Sequence, residues 1–224
     1  MATYIDQGSS VKIFSYFINP KGEFQPKVQT VNKYITENDI KTAAANLGVE
    51  PEVLNAVRMT ESPKGPFQSE GKATILYERH YMFNNLKSLG FNADEISDKF
   101  PDLVNSSRGG YGSSAAQHGK LERAKAFDFT SAIKSASWGS FQVMGQYYKQ
   151  LFGSVDEFEI SMNHSEAAQF NYFVNFLTTT PGMIDAMKNK NWEKIARLYN
   201  GPKYKENNYD KKMETNYNKL KKTD

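Results

Sequence analysis

Apolar positions in this chain change their spacing near residue 35. Before it, Val11-Lys-Ile-Phe-Ser-Tyr-Phe-Ile18 is a β-branched and aromatic run, Asn19-Pro-Lys-Gly22 is turn chemistry, and Phe24 to Val31 has the composition of a returning strand. Residues 1–34 are therefore expected to form an N-terminal arm or hairpin. After it, helical spacing dominates. Thr36-Glu-Asn-Asp39 offers a capping hydroxyl with an acid three positions on. Gly48 suits the residue after a helix end, and Pro51 suits the first turn of a second helix. Val53, Leu54 and Val57 follow at helical spacing, and Pro63 stops that helix just after Glu61. Pro63, Gly65, Pro66 and Gly71 make 62–71 a loop, and Ala73 to Tyr77 reads as a short strand. Residues 80–89 read as helix, and 90–120, rich in Gly, Asn and Ser, as a long surface segment. Further helices are predicted over 120–134, 140–151, 155–162, 165–178, 182–189, 191–199 and 206–221. The class is mainly α, with a small β-hairpin.

A chain of 224 residues can bury a full core in one domain with an appendage. There are no cysteines, so disulfides and thiolate metal sites are excluded. His80, His118 and His164 stand far apart with no ligand spacing, so neither a metal nor a cofactor is expected. A net charge of +3 is too weak to argue for nucleic acid, though it favours approach to an anionic wall. No signal peptide and no membrane-spanning run is read, so the expectation is a monomer made in the cytosol that does not insert into membranes. The Lys-rich last helix reads first as a solvated basic face.

Three separated motifs make chemical sense together. They are Met59-Thr60-Glu61-Ser62 at a helix end, Ser137-Trp138-Gly139-Ser140-Phe141-Gln142, and Tyr199-Asn200-Gly201. Cleaving a glycosidic bond needs an acid that holds its proton and a group that answers the positive charge at the anomeric carbon. Glu61 fits the acid, because burial and the negative end of its own helix both disfavour its ionised form. Glu78, in Leu76-Tyr77-Glu78-Arg79-His80, lies across the Gly/Pro loop and is the natural second carboxylate; pairing with Arg79 or Arg58 is its structural alternative. Gly139 permits close approach of a sugar, and Gln142 offers both donor and acceptor to it. Trp138 suits ring stacking or a core anchor equally. Tyr147 or Tyr148 faces the cleft, Tyr199 and Asn200 stand near the acid, and Ser62 joins the sugar-binding set. His80 lacks a nucleophile partner and reads as structural.

These elements resemble the phage-type N-acetylmuramidase family. The resemblance rests on Glu61-Ser62, Leu76-Tyr77-Glu78-Arg79-His80, Ala136-Ser137-Trp138-Gly139-Ser140-Phe141-Gln142-Val143-Met144-Gly145 and Trp192-Glu193-Lys194-Ile195-Ala196-Arg197-Leu198-Tyr199-Asn200-Gly201, and spans about residues 36–217. It implies a lysozyme-like helical catalytic domain over 35–224 with its β-hairpin at the cleft. It also implies hydrolysis of the β-1,4 bond between N-acetylmuramic acid and N-acetylglucosamine in the peptidoglycan glycan strand. Carried over, Glu61 is the catalytic acid, Glu78 its partner carboxylate, and a tyrosine after the Trp-Gly pair assists, assigned to Tyr148 with Tyr147 as competitor. Such an enzyme waits in the host cytoplasm, is released by a separate pore-forming protein and acts on the periplasmic wall. Ser140-Phe141 departs from the more usual Leu-Gly, which would alter the cleft floor, and 1–34 is too short for a separate wall-binding domain. A lytic transglycosylase on the same bond is the nearest alternative, and a non-catalytic peptidoglycan-binding module the next.

Overall fold

The computed structural model describes residues 3–6, 10–18, 21, 23–61, 65–68 and 71–222. The N-terminal arm is a three-stranded antiparallel meander, one strand more than the predicted hairpin: β1 (Thr3–Asp6), β2 (Ser10–Ile18) and β3 (Phe24–Asn32). β2 and β3 pair without a break from Ser10↔Asn32 to Ile18↔Phe24. The connecting turn falls largely outside the described residues. Val11 and Ile13 are buried, and Lys27 pairs with Glu157 at 2.8 Å, so this sheet docks on the helices rather than standing free.

Helices α1 (Glu37–Leu47) and α2 (Pro51–Glu61) start and stop where the sequence indicates. Thr36 and Asp39 form the reciprocal capping box, and Gly48 ends α1 in the left-handed conformation. Next come β4 (Ile75–Tyr77), α3 (Arg79–Ser88) and α4 (Ala93–Lys99), the last a helix inside the segment predicted as loop. The helix predicted over 120–134 is two, α5 (Ala116–Lys125) and α6 (Phe129–Lys134). Asp128 caps α6 by accepting from the Ser131 N–H at 2.6 Å, and that cap fixes the break.

The helix predicted over 140–151 does not form. β5 (Ala136–Trp138) and β6 (Val143–Met144) pair as a hairpin around one 3-10 turn, and a second 3-10 turn follows over Gly145–Gln150. Gln142 sits at φ +49°, a left-handed residue that no continuous helix accommodates. β4 adds to this hairpin, with Tyr77 opposite Ala136 and Ile75 opposite Trp138. The small sheet is therefore three-stranded, and it brings the Glu78 motif beside the Trp138 motif.

The remainder is helical: α7 (Val155–His164), α8 (Glu166–Thr179), α9 (Met183–Lys188), α10 (Trp192–Asn200) and α11 (Tyr209–Leu220). α8 supplies the densest aromatic packing. Phe173 stacks on Phe141 at 4.3 Å between centroids, and Tyr172 meets Phe158 edge-on. The departure at Ser140-Phe141 therefore faces the core and α8, because both residues are buried there.

Candidate active site

Glu61 is the last residue of α2, where helix carbonyls lack partners and disfavour a negative charge. Asn200, at the end of α10, donates its side-chain amide to Glu61 Oε1 at 3.0 Å. Desolvation raises the Glu61 pKa from 4.5 to about 7, against the Asn200 hydrogen bond and the Lys212 ammonium, which pull it down. A carboxyl in this state carries its proton near neutrality, as a general acid must. Asn200 Oδ1 is buried with no hydrogen-bond partner, which leaves one acceptor beside the acid uncommitted.

The orientation of α2 is held from behind. Arg58, three residues before Glu61, reaches Glu166 Oε1 at 3.1 Å. Glu166 is nearly fully buried, accepts from Ser140 Oγ at 2.9 Å, and takes the Ile35 N–H on its other oxygen. One carboxylate thus ties α2 to the 3-10 turn after β5 and to the residue leading into α1.

Glu78 leaves β4 and precedes α3. Its backbone N–H donates to the Ser135 carbonyl at 2.8 Å, which continues the β4–β5 pairing by one step. Its carboxylate accepts from the Tyr111 hydroxyl at 3.1 and 3.3 Å, and His80 Nδ1 lies 3.1 Å away. The two arginines considered as its partners are engaged elsewhere: Arg58 with Glu166, and Arg79 with the carbonyls of Pro101, Ser107 and Arg108. Arg79 instead folds the 101–110 segment against α3. A Cβ on Gly110 would lie 2.7 Å from Arg79 Nη1, so the backbone there closes on the guanidinium only because no side chain intervenes. Gln117 accepts from the Tyr77 N–H and donates to the Tyr111 and Ser113 carbonyls. Together these contacts deliver Tyr111 to Glu78. Burial, the Glu78 charge and its hydrogen bond push the Tyr111 hydroxyl up to about 12, so it stays a donor.

Burial raises the pKa of the Tyr209 hydroxyl, at the start of α11, and the charges of Glu61 and Glu78 raise it further. Tyr81, one turn into α3, feels Glu78, Arg108 and Tyr147 and hydrogen-bonds Gln146. Glu61 and Glu78 thus both act on Tyr209, while Tyr111 hydrogen-bonds Glu78 and Tyr81 feels its charge.

Several residues singled out in the sequence have their partners inside the protein. Trp138 is a core anchor: its Nε1–H donates to the Ile133 carbonyl and its ring meets Phe158 edge-on at 5.4 Å. A Cβ on Gly139 would fall 2.2 Å from Gln169 Oε1, so it is the Gln169 amide, not a sugar, that needs the glycine. Gln142 donates to the Thr74 and Gly139 carbonyls and accepts from Ser137 Oγ, so its two amide hydrogens are already used in holding the small sheet. Tyr148 is buried against Phe158, whereas Tyr147 is half-buried, with its ring against Phe176. Tyr199 donates to the Phe141 carbonyl and packs on Phe173 and Phe176, a fixed strut for Asn200. Ser62 lies outside the described residues. Tyr111 and Tyr209 were not singled out in the sequence: Tyr111 lies in the Gly- and Ser-rich segment and Tyr209 at the start of the predicted Lys-rich last helix, and only tertiary packing relates them to the two carboxylates.

Residues 50–221 match the model of the muramidase family, described as N-acetylmuramidase. The chain is similar to the endolysin of Burkholderia phage AP3, seen in a crystal structure, with 38% identity and a TM-score of 0.75 over 85% of this chain and 73% of that one. Among curated proteins none matches.

Proposed function

Because the chain belongs to the N-acetylmuramidase family, we propose that it works as a phage endolysin in which Glu61 and Glu78 divide the chemistry of glycoside hydrolysis. The protein is a glycoside hydrolase whose substrate is bacterial peptidoglycan, and it acts on the cell wall. No helix among the described residues is long and apolar enough to cross a membrane.

In this reading Glu61 protonates the glycosidic oxygen between N-acetylmuramic acid and N-acetylglucosamine. Burial at the end of α2 supports that role by keeping the proton on it near pH 7. Charge then develops at the anomeric carbon, and the Glu78 carboxylate, oriented by the Tyr111 hydroxyl, answers it or directs a water to it. Asn200 aims the acid through its amide. Tyr147 takes the assisting tyrosine's place, because Tyr148 is packed into the core.

The observation that carries this reading is the raised Glu61 carboxyl on its Asn200 hydrogen bond. Its test is release of reducing ends from purified peptidoglycan by wild type and Glu61→Gln, with circular dichroism as the control for folding. A loss of about a thousandfold is expected, in the range a positioned acid contributes. A folded Glu61→Gln protein with wild-type rate removes Glu61 from the chemistry.

A further inference from the structure

At the end of α2 that carries the acid, a groove of about 400 Å³ lies between α2 and α11. Met59 and Thr60 form one wall, and Lys211, Lys212, Thr215 and Lys219 the other. The two helices stay joined beneath it, where Asn216 donates to Thr60 Oγ1 at 3.0 Å and Met213 is fully buried. Lys212 lines the groove, its Nζ stands 5.6 Å over the Tyr209 ring, and its charge acts on the Glu61 carboxyl. Thr60 in the wall directly precedes Glu61.

A glycan strand bound across Glu61 and Glu78 brings with it the peptide stems attached to its muramic acid residues. Those stems are short peptides with small aliphatic side chains and free carboxylates. We propose that the α2–α11 groove is a subsite for the peptide stem, with Lys211 and Lys212 receiving its carboxylates and Met59 covering its aliphatic part. This rests on the muramidase reading above and adds to it a preference for peptide-bearing over bare glycan. The charge is of the right sign, the volume suits a few residues of peptide, and the position is one residue from the acid. The Lys212 ammonium also links occupancy to catalysis: it pulls the Glu61 proton off, and a bound carboxylate offsets that pull.

The experiment compares kcat/KM on purified peptidoglycan glycan with its stems intact and on the same glycan stripped of stems by an amidase. Wild type should favour the stem-bearing substrate by about tenfold, the size of two charge-assisted contacts at a half-open site. Lys211→Gln/Lys212→Gln should bring the ratio close to one. Thr215→Trp fills the groove without changing charge and should lower the ratio as well. A wild-type ratio near one overturns the proposal. So does a lysine variant that slows both substrates equally, or a Thr215→Trp variant that keeps the full preference, since either result means a diffuse basic field and no seat for the stem. If wild type cuts neither substrate, the muramidase reading has failed, and that outcome is distinct from all of these.

Discussion

Asn200 and Glu61, 139 residues apart in sequence, meet at 3.0 Å where the ends of α10 and α2 converge. The amide donates to the carboxyl and so works against the burial that raises its pKa. Replacing Asn200 by Leu removes that opposition. The alkaline limb of the kcat/KM profile, set near pH 7 by Glu61 in the wild type, should move to higher pH. The optimum rate should fall about tenfold, or 1.4 kcal/mol in the barrier, because the acid loses its aim. A pH–rate series on soluble glycan fragments checks both, and an unmoved limb would detach Asn200 from the acid.

The same raised pKa makes a statement about stability. Between 4.5 and about 7 the folded protein holds a proton on Glu61 that the unfolded chain releases. Stability from this group is therefore complete below pH 4.5 and is lost as pH rises through 7. Glu61→Gln, which never ionises, should match wild type in urea unfolding at pH 4.5 and exceed it at pH 8.5 by on the order of 2 to 3 kcal/mol. Equal stabilities at pH 8.5 would place the carboxyl in ordinary solvent.

Tyr111 gives Glu78 its main hydrogen bond from the protein, at 3.1 Å. Tyr111→Phe should lower kcat about tenfold, and Glu78→Gln about a hundredfold or more. Combining them should cost no more than Glu78→Gln alone, because the hydroxyl acts only through that carboxylate. Additive losses would give Tyr111 a separate role.

Glu166 is almost wholly buried and answers Arg58, Ser140 and the Ile35 N–H at once. Glu166→Ala strands a guanidinium and two donors, and should destabilise the fold by about 3 kcal/mol. Chemical denaturation measures this. A loss below about 1 kcal/mol would show that α2 does not depend on the tie.

Much of this was legible in the sequence because it is local. Thr36, Gly48 and Pro51 are capping and turn signals, and they bracket α1 and α2 closely enough to put Glu61 at a helix end. The Gly/Pro loop between Glu61 and Glu78 likewise announces two elements folding back on each other. What was misread depends on partners far along the chain. Gly139 has the look of a sugar-approach glycine, yet its neighbour is Gln169. Gln142 has the right chemistry for a substrate, yet it serves Thr74 and Ser137. Trp138 suits either role, and Phe158 decides it. Residues 140–151 carry helical spacing, but strand pairing with β5 and a left-handed Gln142 override it. Tyr111 has no period or motif around it, and Tyr209 opens a helix that reads only as a solvated basic face, so their roles exist only once the 101–115 segment and α11 have packed.

The most direct test of the account is digestion of purified peptidoglycan in heavy-oxygen water, with mass analysis of the released fragments from wild type and Glu61→Gln. Wild type should leave muramic acid reducing ends that carry the heavy oxygen, and Glu61→Gln should leave essentially none. Anhydro-muramic ends, lighter by one water and free of label, or equal release by both proteins, would contradict it.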